Sequence, residues 1–191
     1  MKQITSNLLT DGPKLVKVFT DGFKNNDKNL KHQGFGYEFS GTTIVTAMVQ
    51  GNRIVTANAG DSRAVLGSLR SRHYQMQDPE IESRALIIES NEQAWFSKQI
   101  TRDHKPDDED ESARIIQMNG RIESYKGRYG ENVGPARVWL KNEQYPGLAM
   151  SRSIGDACAH SVGVSAIPGK EINNISFRLV SFRHIIQKHS D

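Results

Sequence analysis

Two β-branched runs, T-T-I-V-T-A-M-V-Q at Thr42–Gln50 and R-I-V-T-A-N-A at Arg53–Ala59, meet across Gly51-Asn52. Glycine and asparagine tolerate the backbone angles of a two-residue turn, so this pattern predicts a β-hairpin. A second turn, Gly60-Asp61-Ser62-Arg63, follows at once, and R-A-V-L-G-S-L from Arg63 predicts a third strand. Three consecutive strands are expected to form a meander.

Residues 13–30 read as an amphipathic helix: Leu15, Val18, Phe19 and Phe23 recur at helical spacing and Pro13 suits a first turn. The clearest helix follows Thr101. Pro106 fits its first turn, the acids Asp107–Glu111 sit where the helix dipole favours them, and Asn119-Gly120 ends it. Further strand candidates are A-L-I-I-E-S at 85–90, R-I-E-S-Y at 121–125, A-R-V-W-L at 136–140 and G-L-A-M at 147–150. Helix, meander, helix, then strands points to an α+β fold rather than alternating βαβ units.

At 191 residues the chain has room for one domain with a real core. Basic and acidic residues, 25 against 22, are interspersed, and the densest charge run is acidic, which argues against a nucleic-acid surface. No apolar run approaches the roughly 20 residues of a membrane helix, and no signal-peptide apolar segment opens the chain. The one cysteine, Cys158, cannot make an internal disulfide. The expected setting is intracellular, cytoplasmic or nuclear, with no membrane partner.

Taken singly, the candidate site residues have ordinary readings. Asp61 can cap its own turn, or it can meet a hard divalent cation at a strand end. His104 reads as a backbone-bonded residue at a helix start, Asp107–Glu111 as a solvated first turn, and Ser151–Asp156 as a strand running into a turn. The motifs G-x-x-x-x-G-K-[ST], H-E-x-x-H and G-x-S-x-G are absent. A cysteine-dependent phosphatase would carry an arginine shortly after its nucleophile, and Cys158 is followed by A-H-S-V-G-V. Any catalysis has to run on metal and carboxylates.

In order and spacing these pieces resemble the metal-dependent protein phosphatases of type 2C, the PPM family. The series is S-G-T-T-I-V-T-A at Ser40–Ala47, A-N-A-G-D-S-R-A-V-L at Ala57–Leu66, T-R-D-H-K-P at Thr101–Pro106, E-S-A-R-I-I-Q-M-N-G at Glu111–Gly120, R-V-W at Arg137–Trp139 and L-A-M-S-R-S-I-G-D at Leu148–Asp156. V-G-V-S-A-I-P beyond it looks like the family's strand toward its next metal motif. The resemblance covers roughly residues 10–175.

It implies a partial type 2C phosphatase-like β-sandwich of antiparallel sheets flanked by helices. It also implies a Mg²⁺ or Mn²⁺ cluster whose bound water attacks phosphoserine or phosphothreonine in a protein substrate. Asp61 matches the family's G-D-S-R aspartate at the metal cluster. Gly60, Ser62, Arg63, His104, Ser151, Arg152 and Asp156 match positions that support the site, and the turns ending in Asp61 and Asp156 are expected at one end of the sandwich. The family's D-G-H-G-G, D-G-[LIV]-W-D and late D-N motifs are absent from these 191 residues. The expectation is therefore an incomplete phosphatase domain over 1–176 with a divergent tail at 177–191, weak or inactive, and prone to self-association through bare sheet edges. The alternative is a non-catalytic phosphatase-like binding or regulatory module.

Overall fold

The computed structural model describes residues 12–34, 36–50, 53–71 and 93–174. Helix α1 spans Gly12–Leu30. It buries Leu15 and Phe23, with Phe19 and Leu30 packed alongside, whereas Val18 is 56% exposed and belongs to the outer face. Steps of four residues from Leu15 hold the stripe, and Val18 falls off it.

Strands β1 (Gly41–Thr42) and β2 (Ile44–Gln50) precede β3 (Arg53–Ala59). β2 and β3 pair antiparallel from Ile44–Ala59 to Gln50–Arg53, the register a two-residue connection demands, although Gly51-Asn52 lies outside the described residues. β3 is buried along six of its seven residues because it has a layer on each side. Ala57 and Ala59 pack under Phe23 of α1. Ile54 joins Ala64, Leu66 and Ile100 in a second cluster, and Thr56 and Asn58 on the same alternation donate to the Ile100 and Arg102 carbonyls. Alternation with period two thus sends odd residues to the helix and even residues to the segment around Thr101.

The expected meander does not form. β4 (Val65–Ser71) pairs antiparallel with β5 (Gln93–Gln99), and the free edge of β3 is taken by β10 (Gly169–Asn174). The Gly60–Ala64 backbone explains the exit: the Gly60 carbonyl accepts from the His104 N–H, the Ala64 N–H donates to Thr101 Oγ1, and the Ala64 carbonyl accepts from Ile100. These bonds draw the chain toward 100–104 and away from β3. β5 is not among the strands the sequence pattern predicts, and the 85–90 strand candidate lies outside the described residues, as does the 177–191 tail.

Helix α2 spans Glu109–Gln117, so Pro106 sits buried in the turn before it rather than in its first turn. Met118 and a left-handed Asn119 close it. Ile115 carries its buried face onto a third cluster with Val138, Ala159, Val162 and Val164. This cluster lies on β6 (Gly120–Lys126), β7 (Asn132–Leu140) and β8 (Pro146–Leu148), an antiparallel sheet matching the three late strand expectations. β9 (Ile154–Gly155) pairs with β1, and the short helix α3 (Ala157–His160) follows it. Within V-G-V-S-A-I-P the described β-pairing is one parallel bridge, Ser165 to Arg152, and the strand begins after Pro168. Antiparallel sheets with flanking helices make this an α+β fold.

Candidate functional site

The Gly60–Arg63 turn lies against the extended segment Arg102–Lys105, and the two exchange charges in opposite senses. Asp61 Oδ2 accepts from Lys105 Nζ at 2.5 Å. Two residues along, Arg63 gives Asp103 a two-pronged pair, Nε to Oδ1 at 3.0 Å and an Nη to Oδ2 at 2.7 Å. These hydrogen bonds to Asp103 hold the Arg63 guanidinium above its usual pKa against the opposing effect of burial, with the Asp61 charge adding a weaker pull. Asp61 therefore sits within the field of two cations.

Gly60 is the hinge of the turn. Its φ of 103° is open to glycine, and a Cβ there would lie 2.3 Å from Thr43 Cγ2. Its carbonyl gathers three donors: the backbone N–H of His104 at 3.1 Å, the His104 ring and Asn58 Nδ2. A carbonyl only accepts, so Nδ1 of His104 carries the proton when the ring is neutral. Burial holds the ring below its ordinary pKa, and the nearby Arg152 charge adds to that. His104 is thus a neutral, 2% exposed brace rather than the start of α2. Ser62 is pinned by its hydroxyl to Thr43 Oγ1 at 2.6 Å.

The Ser151–Asp156 segment serves two neighbours. The Ser151 N–H donates to the His104 carbonyl at 3.0 Å, tying this segment to the same brace. Arg152 clamps Glu111, which also accepts from Arg114 at 2.6 Å and has no exposed surface. Burial alone would raise the Glu111 carboxyl, but its bonds to Arg114 and Arg152 outweigh this and hold it far below the usual range. Glu111 is the site residue the sequence reading passed over. As part of an acidic run it looked solvated, and its partner Arg152 lies 41 residues away.

Asp156 is a left-handed residue, 8% exposed, whose carboxylate covers Gly41. Burial raises its pKa, partly offset by a hydrogen bond from Ser153 and the nearby His160. Asp27 of α1, which accepts from the Gly155 N–H at 2.9 Å, pushes it up further. The two turn aspartates thus have different partners. Cys158 is a free, half-buried thiol raised by burial and by Glu38, which removes thiolate character at neutral pH.

A cavity of about 170 Å³ is lined by Thr56, Asn58, Arg102, His104, Arg152 and Lys170, among others. For a hard divalent cation, which takes about six or more oxygens, the described residues offer too little. No three His, Cys, Asp or Glu side chains gather among them, and Asp61 brings one carboxylate with an ammonium already on it. The described donors do not make a complete metal site.

The family model described as "Protein phosphatase 2C" matches residues 2–79 and 82–177. "Probable protein phosphatase 2C 75" of Oryza sativa subsp. japonica is 34% identical over 175 residues, 91% of this chain and 33% of that protein. "Probable protein phosphatase 2C 72" of Arabidopsis thaliana is 37% identical over 158 residues, 83% of this chain and 40% of that protein. The crystal structure of a serine-threonine phosphatase 2C from Toxoplasma gondii superposes with a TM-score of 0.65 at 19% identity, over 92% of this chain and 51% of that one. At that identity the superposition speaks for the fold. The chain spans well under half the length of these curated relatives, in a family that is generally metal-dependent. On the family match and these identities, the chain belongs to the protein phosphatase 2C family.

Proposed function

We propose that residues 1–176 are part of a serine/threonine phosphatase domain that acts on phosphoserine and phosphothreonine in proteins. The observation that carries this reading is the Gly60–Arg63 turn, inside the family match and locked to Thr101–Pro106 by His104 and two ion pairs. In a complete domain Mg²⁺ or Mn²⁺ supplies an activated water and neutralises phosphoryl charge. Asp61 is the acid of these residues that would face that metal. Gly60, Ser62, Arg63 and His104 hold its turn, and Ser151, Arg152 and Asp156 shape the neighbouring one. The proposed setting is inside the cell, in cytoplasm or nucleus. Among the described residues no helix is long and apolar enough to cross a membrane.

With so few donors, this chain on its own is expected to turn over little or no substrate. Purified protein with millimolar Mn²⁺ and p-nitrophenyl phosphate tests this. Robust turnover abolished by Asp61→Asn would mean that residues outside the described ones complete the site. A longer reading frame of the same gene, assayed on a phosphoserine peptide, tests the family activity itself. Absence of hydrolysis there would leave the second reading, a phosphatase-like binding module, which the one-carboxylate donor set favours and phosphopeptide binding without hydrolysis would support. Among the described residues β2 ends its sheet, with Val49 51% exposed, so we also propose self-association along that edge, measurable by light scattering.

A further inference from the structure

Asp61 and Lys105 are brought together by their backbones as well as by their charges. Gly60 and Ser62 fix Asp61 on one side. Lys105 stands between fully buried His104 and Pro106, and its own N–H donates to Asp108 Oδ2 at 3.3 Å. Neither main chain has room to withdraw, so the 2.5 Å contact costs less ordering than a pair between free surface side chains. The Asp61 side chain keeps only 17% of its exposure, which limits screening by water. Arg63 adds a second positive charge beside the same carboxylate.

From this we infer that Lys105 is the resident cation of Asp61 and keeps a divalent ion off that carboxylate in this chain. The ammonium donates to Oδ2, the atom a metal would coordinate, so a divalent ion would have to displace it and meet its repulsion. The inference rests on the reading of Asp61 as the metal-facing acid. It deepens that reading by naming what stands in the metal's place.

The test is a Mn²⁺ titration followed by electron paramagnetic resonance of the free ion, with no enzymatic readout. Wild type and Asp61→Asn are expected to bind Mn²⁺ within twofold of each other. Lys105→Gln is expected to bind at least about tenfold tighter than wild type, and Lys105→Gln combined with Asp61→Asn is expected to lose that gain. Wild-type binding that Asp61→Asn removes, or a Lys105→Gln variant that binds no tighter, would overturn the inference. A second measurement leaves Lys105 in place: acetylation of its amine, read by mass spectrometry. Asp61→Asn should speed labelling of Lys105 several-fold, and Mn²⁺ should leave the wild-type rate unchanged. Acceleration by Mn²⁺ in wild type would show that the ion displaces the lysine. Because neither measurement involves phosphate ester, their failure is distinct from failure of the phosphatase reading, which the longer reading frame decides.

Discussion

Asp61 and Glu111 are both acids gripped by a cation from a distant part of the chain, Lys105 and Arg152 respectively, yet their surroundings differ. Glu111 has no exposed surface and is held by two guanidiniums, Arg114 and Arg152. Asp61 keeps some access to solvent and is held by one ammonium. Removing one partner of a buried pair strands the other charge in a poor solvent, whereas a group that water still reaches is partly resolvated. The Glu111 cluster thus joins α2 to the Ser151–Asp156 segment out of reach of solvent, while the Asp61 turn keeps its carboxylate partly open to water.

The sharpest way to break this division is at the buried cluster. Arg152→Met leaves Glu111 with Arg114 alone and should cost about 3–5 kcal/mol, read as a shift in the urea midpoint. A loss below about 1 kcal/mol would place the clamp among weak surface pairs. Gly60→Ala comes next. It puts a side chain on a backbone with φ 103° and a Cβ 2.3 Å from Thr43 Cγ2, for about 2 kcal/mol or more. A thermal midpoint equal to wild type would show that the turn relaxes freely.

Acidification gives a smaller, graded effect with a definite sign. Glu111 is depressed in the fold, so its contribution is complete above about pH 4.3, the usual carboxylate value, and declines as the pH falls further. His104 adds in the same direction. Its ring is depressed by burial, so below about pH 6.5 the unfolded chain takes up a proton that the fold resists. Asp156 is raised by burial and runs the other way, gaining on acidification. The Glu111 loss therefore begins only below about pH 4.3, and the thermal midpoint is predicted to fall from about pH 5 to about pH 2. A flat profile would mean that the Glu111 clamp is not formed in solution.

What the sequence made legible was local. The β2–β3 hairpin follows from β-branched residues flanking Gly51-Asn52, and α2 from its acids and terminal Asn119-Gly120. Pairing at long range was not legible. β4 finds β5 rather than β3 because the hydrogen bonds of Gly60 and Ala64 run to residues 100–104, and nothing within R-A-V-L-G-S-L announces that. The candidate site divides the same way. Asp61 and its turn stood out by motif, but Lys105 as its partner and Glu111 as a buried acid depend on contacts spanning 44 and 41 residues.

The most direct measurement compares urea unfolding of Glu111→Gln and Asp61→Asn side by side at neutral pH and low salt. If the Glu111 cluster lies out of reach of solvent and the Asp61 turn stays partly open to water, Glu111→Gln loses about 3–5 kcal/mol or fails to fold. Asp61→Asn then stays within about 1 kcal/mol of wild type. Equal losses in the two variants, or a larger loss from Asp61→Asn, would contradict that division.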